Sequence, residues 1–89
     1  MSVYQINYDL RKQRDYSPLI ERIQSYGTWC HPLKSAWIIV TDQTAVQVRD
    51  NLEAVMDGDD GLLVTRLQGE AAWYGLSNEI SQWLKDNLQ

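Results

Sequence analysis

Residues 3 to 15, VYQINYDLRKQRD, join an alternating segment to a run of charge. Apolar side chains alternate with polar ones through its first half: Tyr4, Ile6, Tyr8 and Leu10 against Gln5, Asn7 and Asp9. Because successive side chains of a strand point to opposite faces, this alternation predicts a strand with one apolar and one polar face. We therefore expect a first strand over residues 3–10, followed by a basic loop.

A helix is predicted after this loop. Asp15 or Ser17 can cap it, and Pro18 falls in the first turn, where its missing N–H costs no hydrogen bond. Gly27 is a natural stop. Apolar side chains recur at helical spacing between these signals: Tyr16, Leu19, Ile20 and Ile23.

Two more helices are predicted from the same kind of spacing. Asp42 or Thr44 caps the second, which the acidic turn DGDDG at residues 57–61 ends. Ser77 caps the last. The apolar positions of the second helix are Ala45, Val48, Leu52, Val55 and Met56, and those of the last are Ile80, Trp83, Leu84 and Leu88.

The remaining apolar segments predict strands. SAWIIVT, residues 35–41, is β-branched and aromatic, as in a central strand buried on both faces. GLLVTRLQG, residues 61–69, is a further strand bounded by glycines. TWCHPLK, residues 28–34, is a brief edge strand or a turn because it contains Pro32. EAAWYGL, residues 70–76, is a short strand or an irregular segment.

The resulting order, βαββαβ with an added C-terminal helix, predicts an α+β ferredoxin-like fold with an antiparallel sheet and two core helices on one face. We expect one domain over residues 1–89, with a core of about 3–69 and an appendage of about 70–89. The second face of the sheet is then left to solvent, to a partner or to the appendage, and the polar row of the first strand points toward it.

The composition restricts the function classes. Eight basic against twelve acidic residues give a net charge of -4, which weighs against binding of nucleic acid by phosphate contacts alone. Cys30 is the sole cysteine, so no internal disulfide can form. We expect a cytoplasmic protein with no membrane span, since no apolar run approaches the length that a bilayer requires. Nothing in the sequence demands a cofactor.

Several residues are candidates for chemistry or binding. Asp9 could hold a divalent cation if a two-fold axis brought two copies together, or it could simply end its strand and pair with the basic loop. Arg11, Lys12 and Arg14 could contact phosphates, or they could form a solvated loop.

Other motifs favour structural roles. Cys30 and His31 are adjacent on an extended segment, so their side chains point apart and cannot share a metal. DGDDG has its second glycine at the fifth position rather than the sixth and lacks the glutamate of a calcium loop. Trp73, Tyr74 and Trp83 could cover the second face of the sheet or mark a subunit contact.

Four features of the chain occur together: Tyr8–Asp9 at the end of the first strand, the basic loop, SYGTW at the end of the first helix, and DGDDG leading into LLVTRL. In these features the chain resembles the small ferredoxin-like CRISPR-associated adaptation proteins and the virulence-associated-protein-D-like ribonucleases. The resemblance implies a homodimer built through the sheets, with Asp9 near the seam as a possible ligand for Mg²⁺ or Mn²⁺ in phosphodiester cleavage.

Three functional hypotheses follow. The first is a homodimeric binding or scaffold protein that engages a protein or nucleic-acid complex without catalysis. The second is a metal-dependent endonuclease or endoribonuclease with Asp9 at the dimer seam. The third is an acidic inhibitor of a host or phage defence complex, whose negative charge would meet a basic groove. The first is favoured because the sequence offers no second convincing catalytic residue beside Asp9.

Overall fold

The computed structural model describes residues 1–10 and 16–88. Within them the chain forms a four-stranded antiparallel sheet and three helices, an α+β arrangement. The elements follow in the order β1 (Ser2–Asp9), α1 (Ser17–Gln24), β2 (Trp29–Leu33), β3 (Ala36–Thr41), α2 (Ala45–Glu53), β4 (Gly61–Leu67) and α3 (Asn78–Asn87).

The strands lie in the order β2-β3-β1-β4, which places β1 and β3 at the centre and β2 and β4 at the edges. β1 pairs with β3 from Ser2 opposite Thr41 to Asn7 opposite Ala36. Its other side pairs with β4 from Val3 opposite Leu67 to Asp9 opposite Gly61. The prediction of a central strand in residues 35–41 is confirmed, and TWCHPLK contains an edge strand rather than only a turn.

One face of the sheet, called the near face below, packs against α1 and α2. The apolar row of β1 lies on it, and Ile6, Ile39, Val48 and Leu52 are fully shielded from solvent. The apolar residues of α1 and of α2 recur at the period of a helix, so each helix has one apolar face. Both faces pack on the sheet and contribute to one core. The buried members of this core are Tyr4, Ile6, Tyr8, Leu19, Ile23, Trp37, Ile39, Val48 and Leu52.

The opposite face of the sheet, the far face, is partly covered by α3. Leu84 and Leu88 of this C-terminal segment pack with Cys30 and Ile38 in a second buried cluster. The predicted cover by tryptophans is confirmed for Trp73 and Trp83, which pack against this cluster, whereas Tyr74 is 99% exposed. Residues 70–76 contain no strand and run irregularly, with Gly75 at a φ of 79°.

The helix caps agree with the sequence in two cases and differ in one. Thr44, rather than Asp42, caps α2, and Ser77 caps α3. For α1 the residue at the cap position is Tyr16, which makes no side-chain capping bond, so the predicted capping by Ser17 is wrong and Asp15 lies outside the described residues. Pro18 still lies in the first turn, where it fixes a helical φ without removing a needed donor.

Across the described ranges, 1–10 and 16–88, no helix has the length and apolar character needed to cross a membrane.

We predict that Thr44→Ala lowers the free energy of unfolding by about 1 kcal/mol, because it removes the Thr44 hydroxyl that accepts a hydrogen bond from the Gln47 amide, whereas the backbone amide at position 44 can still donate to Gln47 Oε1. In a chain of this size that change corresponds to a decrease in Tm of about 4 to 8 °C in thermal unfolding followed by circular dichroism. Thr28→Ala is the matched control, since Thr28 is exposed and lies outside any helix. Equal losses in the two variants would contradict the assignment.

Candidate binding site

The polar row of β1 lies on the far face, as the alternation of the sequence predicts. The side-chain amide of Gln5 donates a hydrogen bond to Asn7 Oδ1 at 3.0 Å, which fixes the two amides relative to each other. Asn7 and Asp9 continue the row toward the end of the strand that α3 does not cover. An open depression there is lined by Asn7, Tyr8, Asp9, Gly61, Leu62 and Leu63.

A mainly apolar pocket of about 160 Å³ lies between the covered and uncovered parts of the far face. β1 and β3 form its floor, α3 and the irregular segment before it form one wall, and the end of β2 forms the other. Gln5 contributes an amide to a lining that is otherwise apolar. The other lining residues are Pro32, Leu33, Ala36, Ile38, Leu67, Ala71, Ala72, Trp73, Leu76, Leu84 and Leu88.

The pocket exists where small side chains lie on both of its sides. Ala36 is the far-face residue at the start of β3, and Ala71 and Ala72 precede Trp73 in the opposite wall. Leu33, at the rim, is 60% exposed. An apolar pocket with a few polar groups at its edge is the usual form of a site for a ligand or an anchoring side chain. The sequence analysis did not predict this pocket. The signal for it was the presence of alanines in two separate segments, at position 36 and at positions 71 and 72.

Asp9, the predicted catalytic and metal-binding residue, is the last residue of β1 and is exposed. It lies at the uncovered end of the far face, opposite Gly61. Among the described residues, no group of three or more His, Cys, Asp and Glu side chains could hold a metal ion. A metal at Asp9 would therefore need further ligands from a second molecule or from outside these residues. Arg11, Lys12 and Arg14, the predicted phosphate contacts, lie outside the described residues.

Cys30 and His31 point to opposite faces of the sheet, as predicted. Cys30 is buried in the far-face cluster, and burial raises the pKa of its thiol from 9.0 to about 11. His31 stacks on Trp37 with ring centroids 3.9 Å apart and an angle of 9° between the rings. The two side chains therefore cannot act as a thiolate–imidazole pair.

The stacked histidine belongs to an aromatic group at the β2 side of the near face. Trp37 Nε1 donates to Tyr8 Oη at 3.3 Å, and Tyr8 Oη donates to the Lys34 carbonyl at 3.3 Å. His31 Nε2 lies 3.1 Å from the same carbonyl. These bonds satisfy the polar atoms of buried rings and fix the turn between β2 and β3, so they explain the aromatic residues without a ligand.

The acidic segment DGDDG forms a turn, as predicted. The backbone amide of Asp57 donates to Asp60 Oδ2 at 2.9 Å, and the Asp60 amide donates to the Asp57 carbonyl at 3.1 Å. Beside this turn lies an open pocket of about 270 Å³ that Glu53, Asp57, Asp60 and Leu62 help to line. This pocket lies next to β4, at the edge of the sheet.

Comparison with known proteins yields no further assignment: no family model matches the chain, and no solved structure shows a significant match.

The raised pKa of Cys30 predicts slow alkylation. At pH 8 the native protein should react with iodoacetamide much more slowly than the protein in guanidinium chloride, because the thiolate fraction is small and the thiol is buried. As a folded-state pKa above the unfolded value stabilises the native state at low pH, we also expect stability to fall as the pH rises from 9 to about 11. Mass spectrometry and denaturant unfolding measure the two effects.

Cys30→Ala provides the control for the second effect, because it removes the thiol and leaves every other ionisable side chain in place. If wild type and Cys30→Ala lost stability equally over this pH range, the thiol would not be responsible.

Proposed function

We propose that this protein is a small homodimeric binding or scaffold protein of ferredoxin-like fold, which engages a protein complex without performing catalysis. The support for the fold is the strand order β2-β3-β1-β4, in which each of α1 and α2 connects two strands that are separated by one other strand. Both helices pack on the near face, which leaves the far face for recognition.

The observation that carries the proposed binding role is the apolar pocket on the far face. Its Ala36 floor and Leu33 rim can receive one apolar side chain of a partner, while the Gln5 amide can hydrogen-bond a polar group beside it. Binding energy in protein interfaces is concentrated where such an anchor fills a desolvated pocket. The net charge of -4 favours a protein segment over a bare phosphate backbone as the occupant.

We predict that Ala36→Leu weakens recognition by filling the pocket floor. Peptides selected from a random displayed library against the wild-type protein should carry an aliphatic or aromatic anchor. Their affinity for Ala36→Leu should fall by a factor on the order of ten or more, the usual effect of blocking an anchor site. Fluorescence polarisation with the selected peptides measures the change.

Ala54→Leu is the matched control, because it adds the same volume at an exposed position after α2. Peptides that bound Ala36→Leu as well as wild type, or that perturbed amide NMR signals outside the far face, would contradict this assignment of the pocket.

The nuclease alternative, with Mg²⁺ or Mn²⁺ at Asp9, makes a separate prediction. It requires metal-dependent cleavage of RNA or DNA that is lost in Asp9→Ala, while this variant keeps its secondary structure and its dimeric state in solution. The binding role predicts no cleavage by either protein over a panel of single- and double-stranded substrates. Asp42→Ala is the control, since it removes an exposed carboxylate outside β1.

A further inference from the structure

The two edges of the sheet differ in how they are protected. Edge strands expose unpaired backbone groups and are usually blocked by proline, charge or a bulge. β2 has such protection, because it contains Pro32 and its register with β3 shifts between Cys30 and Leu33. β4 has seven residues, pairs regularly with β1 along its whole length, and contains no proline and a single charge at Arg66.

The direction of the backbone groups in β4 follows from the central pairing. The Tyr8 amide donates to the Ser35 carbonyl at 3.3 Å. The backbone N–H and C=O groups of Tyr8 and of the other even-numbered residues of β1 therefore point toward β3. The odd-numbered residues of β1 then bond Leu63, Thr65 and Leu67 of β4. Among residues 1–10 and 16–88 no strand pairs with the other side of β4, and the N–H and C=O groups on that open edge are those of Leu62, Val64 and Arg66.

We propose that a second copy of this chain pairs with the open edge of β4, antiparallel and with the two-fold axis at Val64. This interface rests on the homodimer of the proposed function and supplies its geometry. In this register Val64 lies opposite the partner's Val64, and Leu62 lies opposite the partner's Arg66. The three residues whose backbone groups face the open edge all form hydrogen-bonded pairs with the partner, and each pair exchanges two N–H···O=C bonds. The overlap covers Gly61–Leu67 from end to end.

The side chains support a second copy as the occupant. Leu62, Val64 and Arg66 alternate onto the near face, where Leu62 borders the pocket that Glu53, Asp57 and Asp60 line together with Arg49. The Arg49 guanidinium pairs with Asp50, so the carboxylates dominate the charge of this pocket. The partner's Arg66 would lie opposite Leu62 and hence beside this acidic pocket. The two-fold axis repeats the contact, so each copy places its Arg66 beside the carboxylates of the other copy's pocket. The two Arg66 side chains stay apart, which avoids like charges directly opposite each other.

The interface has a consequence for Asp9. Asp9 lies opposite Gly61, at the end of β4 remote from the axis. Strand spacings of about 4.8 Å and a rise of about 3.4 Å per residue place the two Asp9 residues about 25 Å apart in the paired sheet. One metal ion cannot bridge that distance. A continuous sheet through β4 therefore excludes the shared metal site that a face-to-face dimer would permit.

A register-specific cross-link tests the interface. Opposite Leu63 lies the partner's Thr65, in a non-hydrogen-bonded pair with Cα atoms about 4.5 Å apart, which a disulfide can span. Both side chains are exposed. A mixture of Leu63→Cys and Thr65→Cys proteins should form a disulfide-linked heterodimer on mild oxidation, whereas either protein alone should form far less. The buried Cys30 thiol does not compete, because it is largely protonated at pH 8.

Each outcome decides the register. No heterodimer in the mixture overturns the proposal, and efficient cross-linking of Leu63→Cys alone or of Thr65→Cys alone overturns the Val64-centred axis. Adding Val64→Pro to both proteins should abolish the cross-link, because it removes an N–H at the open edge while sparing the bonds to β1. Circular dichroism checks that this variant remains folded.

The charge contact is tested by sedimentation equilibrium. Arg66→Glu should raise the dimer Kd by a factor on the order of ten, because it replaces two attractive contacts with repulsive ones. Glu53→Lys combined with Arg66→Glu should restore much of the affinity. Lys85→Glu on α3 makes the same charge change away from β4 and should leave the Kd within about twofold. Equal effects of Arg66→Glu and Lys85→Glu would overturn the contact.

The two proposals can fail independently. Peptide binding to the far-face pocket without the heterodimer cross-link would refute the β4 interface alone. The cross-link without peptide binding would refute the recognition pocket alone.

Discussion

The structure depends on the burial of β3 on both of its faces. Trp37 and Ile39 face the core under α1 and α2, while Ala36 and Ile38 face α3 and the pocket. A strand with apolar side chains on both sides is stable in water only if both sides are covered. The near-face helices alone would leave Ile38 and Cys30 exposed. The C-terminal segment is therefore needed to complete the hydrophobic core.

The same requirement explains where recognition is possible. α3 approaches the sheet at one end, where Leu84 and Leu88 pack on Ile38, and the chain leading to it passes over the small residue Ala36. Cover is complete where large side chains meet and incomplete where alanines do. The pocket and the uncovered polar row of Asn7 and Asp9 are therefore products of how far one helix reaches across one sheet.

The sequence was informative where a local rule decides the structure. Alternation in residues 3–10 predicts β1 and its two faces, and Thr44 followed by Gln47 is a recognisable capping box. The start of α1 was not predictable in the same way, because Tyr16 occupies the cap position without a capping bond. The pocket was beyond such rules, since it arises from the distance between α3 and β3 rather than from any one segment.

The candidate site shows the same division. The opposite orientation of Cys30 and His31 follows from the period of a strand, and the structure bears it out. The role of Asp9 depends on what a second molecule brings near it, which no periodicity in one chain specifies. Two positions of a second copy, edge to edge or face to face, give this carboxylate entirely different surroundings.

The protection of β2 also determines how an assembly of this chain would end. The proposed pairing at β4 would be isologous, since one contact would occupy the same edge of both copies. The edges that remained on the combined sheet would both be β2, where Pro32 and the register shift between Cys30 and Leu33 disfavour further strands. Addition of copies would thus stop at two. In the proposed assembly, the proline and the register shift of β2 would therefore favour a closed pair over an open-ended fibre.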